Sequence, residues 1–405
     1  MADIRFDGSE RVTLGDIRLQ AERAKKVLER IREGMLAPTQ AKVSPKFSSA
    51  QLAALTDMAT HQVDYWIKKG GLPGGSNASG TRREFSLSDL RTWTRRFRAH
   101  RMRPENAEAI VVSVANYKGG VAKTTSAFTL AQGLAARGHK VLMIDVDPQG
   151  SCTSLFGVSS SQVQAEDTLL TLCTGDETSV EYAIRSTYWD GIDLIPAAGF
   201  LFGAEFALPG RQRTEGASFK FWNVFHYGLE HARQNYDAII IDTSPALSYL
   251  TINSMFASDG IIMPLPPNGL DFSSSVQFWD LFVDLSSAFE ERGLEKSYDF
   301  VNILLSKVDS SDIATNVVRE WIAAAYGSRV LPIEIPKTAT AASASAEFGS
   351  IYDMRPGSAS SRTIKRAIDA YDQFVITIES QMVSAWRRQI AEQQAAALAS
   401  EKEVV

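Results

Sequence analysis

The chain has 405 residues, 44% of them apolar and 22% charged, the composition of a globular protein longer than one ordinary domain. No apolar run approaches the roughly 18 residues of a membrane span, and Met1-Ala2-Asp3-Ile4-Arg5 lacks a charged-then-apolar leader, so membrane attachment and secretion are disfavoured and a cytoplasmic location is expected. Cys152 and Cys173 are too few for a disulfide framework or a metal cluster, and the five histidines form no paired motif.

The net charge of −5 conceals a segregation: residues 41–103 carry 12 Lys/Arg against 4 Asp/Glu, a balance of +8, which leaves −13 on the remainder. Such an excess is the electrostatic footprint of nucleic-acid binding, although a basic solvated linker could also produce it.

In chain order, the first expected element is an amphipathic helix over Leu14–Met35. Leu14, Ile17, Ala21, Val27, Leu28, Ile31 and Met35 fall mainly three or four apart and form one apolar stripe, which could cover its own neighbouring domain or a second copy. Residues 36–46 carry two prolines and little apolar surface and read as a linker.

A short helix then begins at the serines after Phe47 and ends near Thr56, and a second runs from His61 to Lys69 until Gly70-Gly71-Leu72-Pro73-Gly74-Gly75 stops it. Thr81–Leu87 reads as extended and a third helix follows from Ser88. Two short helices, a glycine turn, a basic wing and the Arg82-Arg83-Glu84-Phe85-Ser86 ending resemble the winged helix-turn-helix of MerR-like proteins. In that arrangement the second helix enters the major groove, so Thr60, His61, Gln62 and Asp64 are candidates for base edges. Lys68, Lys69, Arg82 and Arg83 are candidates for phosphates, and Leu52, Leu55, Val63, Trp66, Ile67 and Leu87 for the core.

From Val111 to Gly150 the pattern is apolar strand, glycine-rich loop, helix, apolar strand and acids. The loop is Asn116-Tyr117-Lys118-Gly119-Gly120-Val121-Ala122-Lys123-Thr124-Thr125. A standard P-loop would have glycines at Tyr117 and Ala122, yet the mechanics survive. Gly119 and Gly120 let backbone N–H groups turn inward, and the helix starting near Lys123 adds its positive end, so polyphosphate binds largely through backbone. Lys123 supplies a point charge, and the Thr124 hydroxyl is suited to a magnesium ion bridging the phosphates. A positive φ at Ala122 would cost about 1–2 kcal/mol.

Val141–Gln149 is a buried strand ending in Asp145-Val146-Asp147-Pro148-Gln149, and Asp237–Pro245 is another ending in Asp242; a parallel strand delivers such acids to the edge where ligands bind.

Lys-Gly-Gly-Val-x-Lys-Thr-Thr resembles the deviant Walker A motif of the ParA/MinD ATPases, and the two later segments match the same family in order. The resemblance implies ATP and Mg²⁺ as ligands, with Gly119, Gly120, Val121, Ala122, Lys123, Thr124 and Thr125 around the nucleotide. It also implies that Lys118 is the signature lysine reaching a partner subunit's nucleotide, that Asp147 holds or activates the attacking water, that Asp242 is the Walker B acid at the metal, and that Asp145 is a magnesium-shell or switch residue.

Further strands are expected at Gly260–Pro267, Phe300–Ser306 and Val330–Pro336, alternating with helices in a mostly parallel, doubly wound α/β sheet, and a C-terminal helix around Arg362–Met382. The segment from Ser384 onward is rich in Ala, Gln and Glu, without the bulky apolar face of a membrane-targeting helix. The expected organisation is therefore a dimerisation helix (1–40), a winged helix-turn-helix domain (41–103), an ATPase domain (104–385) and a polar tail (386–405).

By resemblance to the large, DNA-binding members of the family, the protein is a Mg-dependent ATPase that partitions a plasmid or secondary replicon. It would act as a homodimer on nonspecific DNA of the nucleoid, with a ParB-like centromere-binding partner, and repress its own operon at an operator. Arg355, Arg362, Lys365 and Arg366 are candidates for nonspecific DNA. The alternatives are an ATP-modulated transcriptional repressor and a MinD-like division regulator.

Overall fold

The computed structural model describes residues 12–35, 42–77, 83–293, 296–337, 349–353 and 362–403. The chain divides after Val43 into two units. The first holds helix α1 (Leu14–Met35). Its start is a reciprocal cap: the Asp16 carboxylate accepts from the Thr13 backbone N–H at 2.8 Å, and the Asp16 N–H donates to the Thr13 hydroxyl at 3.3 Å. Of the expected stripe, Leu14, Ile17 and Val27 are exposed; the side chains of Leu28, Ile31 and Met35 lie outside the described ones.

The second unit opens with β1 (Phe47–Ser48), α2 (Ser49–Leu55), α3 (Thr60–Lys69), β2 (Ser76–Asn77), β3 (Arg83–Phe85) and α4 (Leu87–Phe97), the strands forming an antiparallel sheet in the order β1-β3-β2. Capping boxes at Ser48 with Gln51, and at Ser86 with Asp89, start α2 and α4 where the serines interrupt the apolar pattern. Leu52, Val63, Phe85, Leu87, Leu90 and Trp93 form the module's core, with Leu55, Trp66 and Ile67 half-buried around it. Arg82 lies outside the described residues.

The remainder is an eight-stranded sheet flanked by helices. Its strands are β4 (Ile110–Val114), β5 (Val141–Asp145), β6 (Arg185–Ser186), β7 (Ile192–Ile195), β8 (Ala238–Asp242), β9 (Gly260–Leu265), β10 (Phe300–Val308) and β11 (Val330–Pro336). They lie in the order β11-β10-β9-β4-β8-β5-β7-β6, all parallel except the β6–β7 pair. Because both faces are covered, β4, β5, β8 and β9 are buried at every residue, which is why they read as unbroken apolar runs. Alternation still sorts them. Ile110, Val112 and Val114 join one core with α5 (Lys123–Ala136) and α14 (Arg362–Glu403), while Val111 joins the core on the other face.

Two boundaries differ from the sequence expectation. α14 runs unbroken through the expected start of a polar tail at residue 386, because Trp386 is buried and its indole N–H donates to the Glu108 carbonyl at 2.9 Å. Nor does the basic module stand apart from the eight-stranded sheet and its helices. Three arginines clamp the carbonyl end of α5: Arg91 donates to Ala135 O and His139 O, both at 2.7 Å, Arg95 to Gly138 O at 3.0 Å, and Arg98 to Arg137 O at 3.1 Å. A helix C-terminus, with its unsatisfied carbonyls and negative dipole end, favours such cations. The close approach needs Gly138, whose φ is +105° and whose absent Cβ would meet Arg95 Cγ at 3.1 Å.

Candidate nucleotide site

The candidate site lies where β4, β5 and β8 end. After β4, the Asn116 side chain ties the loop down, donating to Pro264 O at 2.8 Å and accepting from the Lys118 N–H at 3.0 Å. Ser306, at the end of β10, donates to Val121 O at 2.9 Å from the other side. Gly120 has φ +74° with nothing within 4 Å of where a Cβ would stand, so the open space in front of the loop can admit phosphate oxygens. Ala122 does adopt the left-handed conformation, with φ 75° and ψ 30°, immediately before α5. Gly119 is exposed, and Thr124 and Thr125 are half-buried in the first turn of α5.

Lys123 is buried, and its ammonium donates to Lys118 O at 3.0 Å. Burial depresses its pKa, opposed by Asp242 and Asp147. The adjacent ends of β5 and β8 bring Asp145 and Asp242 into register. Burial, and then the charge of Asp145, hold the Asp242 carboxyl well above the ordinary range, with Thr124 and Lys123 acting in the opposite direction. Neither Asp242 oxygen has a hydrogen bond of good geometry. A fully buried carboxylate with two unsatisfied oxygens is costly alone and fits a divalent cation, so the residues present suit magnesium. Among the described residues no cluster of three or more His, Cys, Asp or Glu could hold a metal. Phosphate oxygens and water would therefore have to complete the shell, as is usual for Mg²⁺.

Asp145, expected as a magnesium-shell or switch residue, has both oxygens in hydrogen bonds. One oxygen accepts from Thr153 N–H at 2.8 Å and its hydroxyl at 2.7 Å, and the other accepts from Asp147 N–H at 3.1 Å. Burial lifts it to about 7 in spite of those hydrogen bonds. These contacts make Asp145 the anchor of the Asp147 loop. Asp147 itself is half-buried, and its carboxylate accepts from Gln149 N–H at 3.0 Å, which aims it from a fixed turn.

Lys118 is 39% exposed, and its ammonium lies 2.6 Å from an oxygen of Asp271, which is buried in the first turn of α12 (Gly269–Glu290). Sequence reasoning missed Asp271. The signal was available: Asn268 three residues ahead of an acid, directly after an apolar strand, is a helix-start pattern at the ligand edge, and Asn268 Oδ1 accepts from Asp271 N–H at 3.0 Å.

For the expected DNA contacts, Thr60, His61, Gln62 and Asp64 are exposed at the start of α3, with the Gln62 side-chain oxygen occupied by the Ala59 N–H at 2.9 Å. Lys68 is exposed, whereas the Lys69 ammonium sits 4.3 Å from the centroid of the Trp66 ring. Arg83 is half-buried and donates to Gly74 O at 2.9 Å, which braces the glycine turn. Besides the three clamp arginines, Arg101 donates to Ser380 Oγ at 3.3 Å and Arg103 to Asp237 at 3.3 Å. Much of the module's positive excess is thus internal bonding. Lys365 and Arg366 are exposed on α14. The Arg362 side chain and all of Arg355 lie outside the described residues.

A glycine loop between a central parallel strand and a helix, with a buried lysine, a strand-end carboxylate for a cation and a second lysine on the open side, defines a P-loop nucleotide-binding ATPase fold with a doubled lysine. Residues 109–291 match the family model for an AAA domain. The chain is 31% identical over 309 residues to the protein SopA of Escherichia coli K12, spanning 75% of this chain and 79% of SopA. It is 30% identical over 250 residues to the chromosome partitioning protein ParA of Caulobacter vibrioides, spanning 60% of this chain and 88% of that protein. A solved partition protein shares the fold over 91% of this chain and 96% of its own, with a TM-score of 0.64 at 19% identity. Cobyrinic acid a,c-diamide synthase of Mycobacterium smegmatis, solved with ADP and magnesium, matches 67% of this chain and 94% of its own, with a TM-score of 0.52 at 26% identity. The chain belongs to the ParA-type family of partition ATPases.

Proposed function

We propose that this protein hydrolyses ATP to segregate a plasmid or secondary replicon. In this reading ATP closes a homodimer across the open face of the nucleotide site, and the dimer coats nonspecific DNA of the nucleoid. A ParB-like centromere-binding protein then stimulates hydrolysis and releases it. The observation that carries the reading is Lys118: a second lysine in the phosphate loop, partly exposed and held at the rim by Asp271 rather than turned into its own site.

Within one subunit, the loop N–H groups and Lys123 bind the phosphates, and Thr124 and Asp242 would hold magnesium, whose charge would offset that of the phosphates. Asp147, positioned through Asp145, orients the attacking water. Arg362, Lys365 and Arg366 serve the nonspecific DNA surface. Residues 45–97 serve as a winged helix-turn-helix that recognises an operator through Thr60, His61 and Gln62 and represses the operon, and α1 contributes to dimerisation through its exposed apolar residues. Among the described residues no helix is long and apolar enough to cross a membrane.

The test is a pair of variants. Lys123→Ala should abolish ATP binding, whereas Asp147→Ala should retain it and lose DNA- and partner-stimulated phosphate release. Equal loss of ATP affinity in both would remove Asp147 from the chemical step, and a wild-type turnover indifferent to DNA and partner would favour the repressor reading.

A further inference from the structure

A cavity of about 610 Å³ opens between α12 and the start of β10. The nucleotide residues follow the C-terminal ends of parallel strands, whereas Phe300, Val301 and Asn302 of this cavity are the first residues of β10. At about 3.3 Å per residue, this nine-residue strand separates the two edges by about 26 Å. A ligand here would not compete with the nucleotide.

Trp279, Phe282 and Val283, at helical spacing on α12, line it together with Tyr298, Phe300, Asp299 and Arg329. Into this aromatic frame comes Lys296, its ammonium 5.0 Å from the centroid of the Tyr298 ring. Among the described residues it has no carboxylate within 4.0 Å, and the two acids whose charge acts on it are paired elsewhere: Asp259 to Arg233 at 2.9 Å and Asp299 to Arg388 Nε at 2.8 Å. Burial pushes the Lys296 amine down to about 8, Arg233 adds to this, and Asp259 and Asp299 only partly offset it. A desolvated amine with no carboxylate in contact, within an aromatic cleft, calls for an anion with a flat apolar body.

We propose that this cavity binds a small amphipathic organic anion, an aromatic carboxylate or sulfonate, with the acidic group against Lys296 and the ring system against Trp279, Phe282 and Tyr298. The volume falls within the roughly 300–1,000 Å³ of small-molecule sites.

The probe is 8-anilinonaphthalene-1-sulfonate, titrated by fluorescence and calorimetry against the full chain saturated with ADP and magnesium, with uncharged N-phenyl-1-naphthylamine as the control. One saturable site is expected, with the uncharged control and Lys296→Met each weakened about ten-fold or more, and Lys296→Arg within about three-fold of wild type. At pH 8, calorimetry in two buffers should show uptake of up to about half a proton per probe by wild type, because the anion favours the charged amine, and none by Lys296→Arg. Unchanged ADP affinity reports that each variant is folded. The proposal is overturned if no saturable site exists, if the uncharged control binds equally well, or if Lys296→Met binds the sulfonate as wild type does.

Discussion

Replacing Glu379 tests how the basic module is held to the ATPase portion. This residue of α14 is 1% exposed and meets Arg98 at 2.7 Å, His139 at 2.9 Å and Arg137 at 3.6 Å. Burial alone would raise its carboxyl, but the hydrogen bonds from His139 and Arg98 more than reverse this and hold it at about 2, against an ordinary 4.5. A depressed carboxyl stabilises the folded state fully above 4.5, and that contribution is lost as pH falls through 4.5 toward 2. At about 1.4 kcal/mol per tenfold, the contribution near neutrality is about 3 kcal/mol. Glu379→Gln keeps the shape but leaves Arg98, 3% exposed, beside an uncharged amide. The usual cost of orphaning one partner of a buried pair, about 3–5 kcal/mol, agrees with that figure. Urea unfolding of wild type and variant from pH 7 to pH 2.5 is the assay. The gap should be about 3 kcal/mol at pH 7 and shrink toward zero in acid. A gap below about 1 kcal/mol at pH 7, or one that stays constant into acid, would refute the reasoning.

Three further outcomes are expected. Lys118→Ala should bind ATP normally yet fail to dimerise or retain nonspecific DNA in its presence, as read by sedimentation and filter binding; unchanged retention would return Lys118 to a solvated turn. Ala122→Gly should relieve the left-handed strain at φ 75° and gain up to about 1 kcal/mol in thermal stability or ATP affinity, and a loss in both would mean that the alanine methyl contributes packing that outweighs the strain. Lys365→Ala with Arg366→Ala should weaken ATP-dependent DNA binding and lower the slope of log affinity against log salt by about one per lost phosphate contact, while sparing operator binding.

The nucleotide loop and the central strands were legible because parallel strands buried on both faces leave continuous apolar runs, and because the loop's chemistry is local in sequence. Residues 151–235 carried no such signal. Their helices are short, such as α6 (Ser151–Leu155) and α7 (Leu170–Thr174), and α8 (Ala204–Thr214) contains Pro209. The positive excess of residues 41–103 was legible as a number but not as a use: Arg91, Arg95 and Arg98 donate to backbone carbonyls, and a carbonyl leaves no trace in composition. Trp386 was hidden for a related reason. Its apolar stripe begins at Tyr371, Phe374 and Ile378, and only the packed helix carries that stripe past the polar residues around it.

The arginine clamp bears on how such a protein could have gained or lost its amino-terminal portion. A start codon moved to residue 104 would strip the cations from the end of α5 and leave Glu379 without Arg98. A shortened descendant would therefore need compensating changes along α14 and the 135–139 turn before it became a tolerable protein. Fusion of a foreign reader domain at the same junction would meet the same obstacle, so the amino-terminal portion and its ATPase should be inherited together rather than exchanged piecemeal.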